Sequence, residues 1–165
     1  MCSAPKLIFF CGKMAAGKST FARELAKQAS AVLLVQDDFL AALYPGEIQS
    51  IADFAKRSSH LRNALAPHIR ALLSMGTSVV LDFPANTISQ RAWFRELFEG
   101  AIARHELHFI DASDALCKSQ LARRSQHLLP GSPWTTEAEF EAITVYFQPP
   151  SESEGFNVVH HRGPA

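Results

Sequence analysis

The 165-residue sequence predicts an α/β fold, a parallel sheet with helices on both faces. Three observations point there: short apolar runs alternate with helical periodicities, the runs are too short for helices, and the carboxyl ends of several runs carry glycine or aspartate. Lys6–Cys11 is predicted as the first strand, followed by a helix over Gly17–Ala29 that turns Phe21, Ala22 and Leu25 inward. Ala31–Gln36 is predicted as the second strand. From Glu47 to Met75 the positions Ile48, Ile51, Phe54, Ala55, Leu61, Leu65, Ile69 and Leu72 recur mostly at three- and four-residue steps, which is a helical pattern. Pro67 is expected to kink it or to open a second helix. Thr77–Asp82 reads as a third strand. Thr87-Ile88-Ser89-Gln90 fits a capping box for a helix to about Ala103. Leu107–Asp111 is the fourth strand, and a helix from about Ser113 to Gln126 follows. A second capping box, Thr136-Glu137-Ala138-Glu139, opens a helix to about Phe147, and Asn157–His161 is the fifth strand.

Composition bounds the function classes. The chain is 47% hydrophobic and 19% charged with a formal net charge of zero. A nucleic-acid or anionic-membrane binder normally carries a basic surplus, so both partners are disfavoured. Leu7–Cys11 is too short to span a membrane and lacks a signal peptide's cleavage region. Cys2, Cys11 and Cys117 are odd in number and widely spaced, which fits reduced thiols and neither disulfides nor zinc. These features lead us to expect one cytoplasmic domain over residues 1–165.

The sharpest motif is Gly12-Lys13-Met14-Ala15-Ala16-Gly17-Lys18-Ser19 between the first strand and the first helix. A loop that wraps phosphates needs residues without a Cβ where the backbone approaches closely, and a helix N-terminus to receive negative charge. Lys18 reaches the β- and γ-phosphates in such a loop, Ser19 offers a hydroxyl to magnesium, and Thr20 assists from the first helical turn. By composition the pattern arises by accident in roughly one of a few hundred chains this long, and the strand-loop-helix context is also met. The implied ligand is ATP with Mg²⁺.

Ligands in open parallel sheets sit beyond the carboxyl ends of the strands. Asp37 and Asp38 follow the second strand, and Asp82 ends the third. Phosphoryl transfer to a hydroxyl needs a base for the acceptor proton and a carboxylate near the metal. Asp37 or Asp38 suits the first role and Asp82 the second, alongside Ser19 at the metal. The alternative for Asp37 and Asp38 is to cap a short helix over Phe39–Leu43, and Asp111, which ends the fourth strand, is expected to cap the helix after it. Lys118, Arg123 and Arg124 lie on or beside a helix that leads into the turn-rich stretch around Pro130, Gly131 and Pro133. We expect a lid over about residues 113–135, with Arg123 and Arg124 as its cations. The bland alternative is a solvated helix face, as for Arg57, His60 and Arg62. His160 and His161, adjacent in a strand, point to opposite faces and make a poor metal pair.

On these residues the sequence resembles the P-loop kinases grouped with phage polynucleotide 5′-kinase, chloramphenicol phosphotransferase and zeta toxin. It looks closest to a bacterial branch labelled only as ATP-binding or AAA-family proteins. The resemblance runs from about Lys6 to His161. It rests on the phosphate loop, Val35-Gln36-Asp37-Asp38-Phe39, Val79–Thr87, and Tyr146-Phe147-Gln148-Pro149-Pro150 leading into Glu154–Val159. It implies a P-loop NTPase three-layer sandwich with a five-stranded parallel sheet in the order 2-3-1-4-5. It also implies that Asp37 is the catalytic base, that Asp82 lies beside the acceptor, and that Arg123 or Arg124 is the lid arginine. The arginine that follows the Asp-Asp-aromatic triplet in the polynucleotide kinases is Leu40 here. With zero net charge, that departure argues against a nucleic-acid 5′ end. The expected activity is transfer of the γ-phosphate of ATP to a hydroxyl of a small molecule. The alternative is a nucleotide switch or weak ATPase that acts through a protein partner.

Overall fold

A computed structural model describes residues 4–163; Cys2 lies outside them. In chain order the elements are β1 (Lys6–Cys11), α1 (Lys18–Gln28), β2 (Val32–Val35), α2 (Gln36–Leu43), α3 (Ile51–Ser74) and β3 (Val79–Pro84). Then come α4 (Ile88–Gly100), β4 (Arg104–Asp111), α5 (Asp114–Ser125), α6 (Glu137–Thr144), one 3₁₀ turn at Glu152–Glu154, and β5 (Val158–Arg162). The five strands pair in the order β2-β3-β1-β4-β5, and all are parallel.

Side-chain alternation splits the sheet into two apolar faces. Leu7, Phe9, Val79, Leu81, Phe83 and Leu107 pack with Leu61, Ile69 and Leu73 of α3 and Phe94 and Leu97 of α4. Ile8, Phe10 and Val80 face Ala22 and Ala26 of α1. A third cluster, Ile110, Ala112, Cys117, Leu121 and Phe140, seats α5 and α6 beside the loop after β1. Among the described residues no helix is long and apolar enough to cross a membrane.

Several local expectations need correction. α3 runs through Pro67 as one helix. Pro67 and Asn63, whose carbonyl loses its helical partner, both lie on the side open to solvent, while Leu61, Ile69 and Leu73 anchor both halves. Ser50 caps α3 by accepting from the Asp53 amide. Asp37 and Asp38 are not caps: they sit in the first turn of α2, whose N-cap is Val35. Asp111 is not a cap either, because Ser113 takes the Leu116 amide and opens α5. Thr87 caps α4, but the returning arm is displaced, with Gln90 accepting from Asn86 at 2.8 Å. The Thr136–Glu139 capping box forms in full, and its helix ends at Thr144, short of Phe147.

Candidate functional site

The loop between β1 and α1 owes its shape to two glycines for different reasons. A Cβ on Gly12 would stand 2.9 Å from the Ile110 carbonyl oxygen, so the chain could not pass so close to β4 with any larger residue. Gly17 is the N-cap of α1 at φ 99°, a left-handed conformation that costs other residues energy. Ala15 also has positive φ, at 61°, and the alternation curls the backbone into a concave nest of the kind that receives anions. The Gly12 amide is already taken by Asn86 Oδ1 at 2.9 Å, and the Ala16 amide by the Lys13 carbonyl. The amides of Lys18 and Ser19 open the first turn of α1, where an α-helix supplies no partner.

Lys18 folds back over this loop and donates Nζ to the Gly12 carbonyl and, at 2.7 Å, to the Lys13 carbonyl. Burial pushes its pKa down to about 8, with Arg124 adding to the depression and Cys11, Asp82 and Cys117 opposing it. Lys13 is paired with Asp114 at the start of α5 and lies 5.9 Å from the centre of the Phe147 ring. Cys11 beneath the loop is fully buried, and that burial raises its thiol to about 11, which leaves it protonated and inert.

A cleft of about 550 Å³ opens above the loop and is lined by Lys13 through Thr20. Across it stand Asp37 and Asp82, with Arg124 from α5, Phe54 from α3 and Trp134 from the α5–α6 connection. Asp37 reaches it from the first turn of α2. Asp82 is delivered by an irregularity in the sheet: β1 pairs Phe9 with Leu81 but Phe10 with Pro84, so Asp82 and Phe83 bulge past β1. Asp82 meanwhile keeps its pairing with Val35 of β2. The Asp37 carboxyl is pushed up by burial and by the Asp82 carboxylate, against the pull of Arg124 and Lys18. Asp38 and Arg123 do not line the cleft, whereas Arg124 lines it and donates to the Trp134 carbonyl at 3.4 Å. Arg57 is paired with Glu47, and Arg62 lies over Trp93. Lys118 binds Glu141 across the α5–α6 hairpin. His160 meets Asp111, whereas His161 meets His108 on the other face.

Sequence reasoning missed the residues that hold these parts together. Asn86 ties the end of β3 to the loop through Gly12, and its carbonyl accepts from Gln148 at 2.8 Å. Arg91 is wholly buried; it makes a two-armed pair with Glu154 (2.8 and 3.0 Å) and donates to the Ala85 and Gln148 carbonyls. A signal existed, since Arg91 shares the apolar face of its helix with Phe94 and Phe98. A lone arginine there needs a carboxylate.

The family model AAA_33, an AAA domain, matches residues 7–150. No curated protein matches the chain significantly. Among solved structures, a sugar kinase from Janibacter sp. HTCC2649 superposes with a TM-score of 0.67 at 16% identity, over 97% of this chain and 86% of its own. The APS kinase of Mycobacterium tuberculosis in complex with AMPPNP and APS gives 0.65 at 20%, over 96% and 88%. A gluconokinase from Sinorhizobium meliloti 1021 gives 0.56 at 18%, over 96% and 83%. The chain belongs to the AAA_33 family of AAA domains, and its fold is that of the P-loop kinases.

Proposed function

We propose that this protein is an ATP-dependent phosphotransferase that moves the γ-phosphate of ATP to a hydroxyl of a small molecule. One observation carries the reading: a phosphate-binding loop and a carboxylate with a raised pKa, Asp37, line a single cleft together with Arg124. The loop amides and Lys18 hold the phosphates. Ser19 and Asp82 line the same cleft and are hard oxygen donors, a set that fits Mg²⁺. When bound, the ion would neutralise charge on the β- and γ-phosphates. Asp37 takes the proton of the acceptor hydroxyl as its oxygen attacks the γ-phosphorus. The bond to the β–γ bridging oxygen then breaks and ADP leaves. Arg124 and Lys18 meet the charge that builds on the transferred group.

The raised pKa of Asp37 serves this role, because a base closer to neutrality abstracts an alcohol proton more readily than an ordinary carboxylate. The test is an ATP-consumption and phosphate-transfer screen over hydroxyl-bearing metabolites, antibiotics and nucleosides. Acceptor-dependent ADP release above the basal rate is the expected result. A slow basal rate that no acceptor raises would favour a nucleotide switch with a protein partner.

A further inference from the structure

The two ends of the cleft differ in chemistry, and the difference specifies an acceptor class. Four cationic side chains line the cleft: Lys13, Lys18, Arg23 and Arg124. Lys13 is neutralised by Asp114, Lys18 lies on the phosphate loop, and the field of Arg124 is felt by both Lys18 and Asp37. Arg23 remains; it is exposed on α1, where water screens it. Against it stands Asp37, which lines the cleft and is raised by burial and by the neighbouring Asp82 carboxylate. Beside them is an apolar wall. Trp134, held in the left-handed region at φ 62°, presents its indole to Phe54 at 5.7 Å and 71°, edge to face. Both rings are half-buried and both line the cleft.

Resting on the phosphotransferase reading, we infer that the acceptor is an uncharged or amine-bearing cyclic alcohol whose ring stacks on Trp134, and that phosphorylated or sulfated alcohols are excluded. An indole face accepts the C–H face of a saturated ring, a flat base or a cation. Ionised carboxylates accept hydrogen bonds from hydroxyl and ammonium groups but repel anions. Trp134 and Arg124 also act together, since the arginine holds the carbonyl of the residue whose ring receives the acceptor.

The experiment uses the two indole N–H signals of the ¹⁵N-labelled chain, from Trp93 and Trp134, assigned with Trp134→Phe. With AMPPNP present, matched pairs are titrated: hexoses, inositols and nucleosides with their phosphate esters, and amino sugars. At least one uncharged or amino probe is expected to move the Trp134 signal and leave Trp93 in place, with its ester binding at least ~10-fold more weakly. Trp134→Ala is expected to weaken that probe about five- to tenfold, the value of a stacked aromatic contact, and to leave AMPPNP affinity within about twofold. Trp134→Phe, which keeps a ring, should retain most of the binding. An ester that binds more tightly than its parent, an acceptor that binds without moving the Trp134 signal, or silence across the panel overturns the inference. A probe that binds at Trp134 but receives no phosphate leaves the subsite standing and removes the phosphotransferase reading instead. Phosphate transfer to an anionic alcohol does the reverse.

Discussion

The phosphate side of the cleft and the side opposite it are built by different means. The first is one continuous run, Gly12 to Thr20, whose shape comes from backbone conformation and whose donors are mostly amides. The second draws Asp37 from α2, Phe54 from α3, Asp82 from β3, and Arg124 and Trp134 from the α5–α6 hairpin. A backbone cradle recognises what all nucleoside triphosphates share. Side chains gathered from distant segments vary one at a time, so under the proposed function selectivity for the acceptor would reside there. Asn86 on the cleft wall and the buried Arg91–Glu154 pair behind it clamp the two halves together.

If the halves are separable, the largest effect should come from Asp37→Asn. The amide keeps size and hydrogen bonding but accepts no proton near neutrality. Phosphate transfer should fall by about 10²–10⁴-fold while triphosphate affinity, measured by calorimetry, hardly moves. In the unmodified protein the acid limb of the rate profile should lie above the range of an ordinary carboxylate, because burial and Asp82 raise Asp37. Asp38→Asn is the control, and loss of transfer there with Asp37→Asn active would move the base by one residue.

Arg124→Ala comes next. Transition-state charge loses a donor, so turnover should drop by roughly 10²-fold with a modest effect on nucleotide binding. Arg123→Ala should behave like a surface control such as Lys27→Ala. Equal losses at Arg123 and Arg124 would erase the distinction that the cleft geometry draws between them.

Lys18→Ala probes the other half. A hydrogen bond to a charged group contributes roughly 1.5–3 kcal/mol, so triphosphate affinity should weaken by about one to two orders of magnitude. Diphosphate affinity should suffer less if the contact is mainly to the γ-phosphate. An unchanged calorimetric affinity in a folded variant would sink the assignment of the loop.

The smallest effect is a pH dependence confined to the phosphate side. Burial holds Lys18 at about 8, and a bound polyanion favours its charged form. Affinity should therefore be flat below pH 8 and fall by up to about tenfold per unit above it, with proton uptake on binding. Heats measured in buffers of different ionisation enthalpy give the uptake directly. Lys18→Ala should abolish it. Between pH 8 and the ordinary lysine range the unfolded chain binds more protons at this position than the folded one does. The contribution of Lys18 to nucleotide-free stability should therefore rise with pH in that window.

Legibility followed the same division. Every strand was visible as a short apolar run and every long helix as periodicity, because a strand covered on both faces is apolar throughout whereas a helix buried on one face imposes a period. Element ends were less visible. Ser50 caps a helix that looked as though it began at Glu47, and α2 opens at Gln36, which had been assigned to the second strand. These ends are decided by which local hydrogen bond wins once neighbours are packed, and composition does not rank such near-equal choices.

By itself, then, the sequence determined the α/β alternation and the phosphate loop, since a glycine that must approach Ile110 and a glycine that must hold positive φ are constraints written at single positions. Only the tertiary structure decided which carboxylate and which arginine face that loop. A bulge of two residues turns Asp82 toward it, one helical step separates Arg124 from Arg123, and the α5–α6 hairpin carries Trp134 onto Phe54. The physical reason is that side-chain direction depends on register and packing. A shift of one residue reverses it on a strand and turns it by about 100° on a helix, and neither shift leaves a mark in the order of the amino acids.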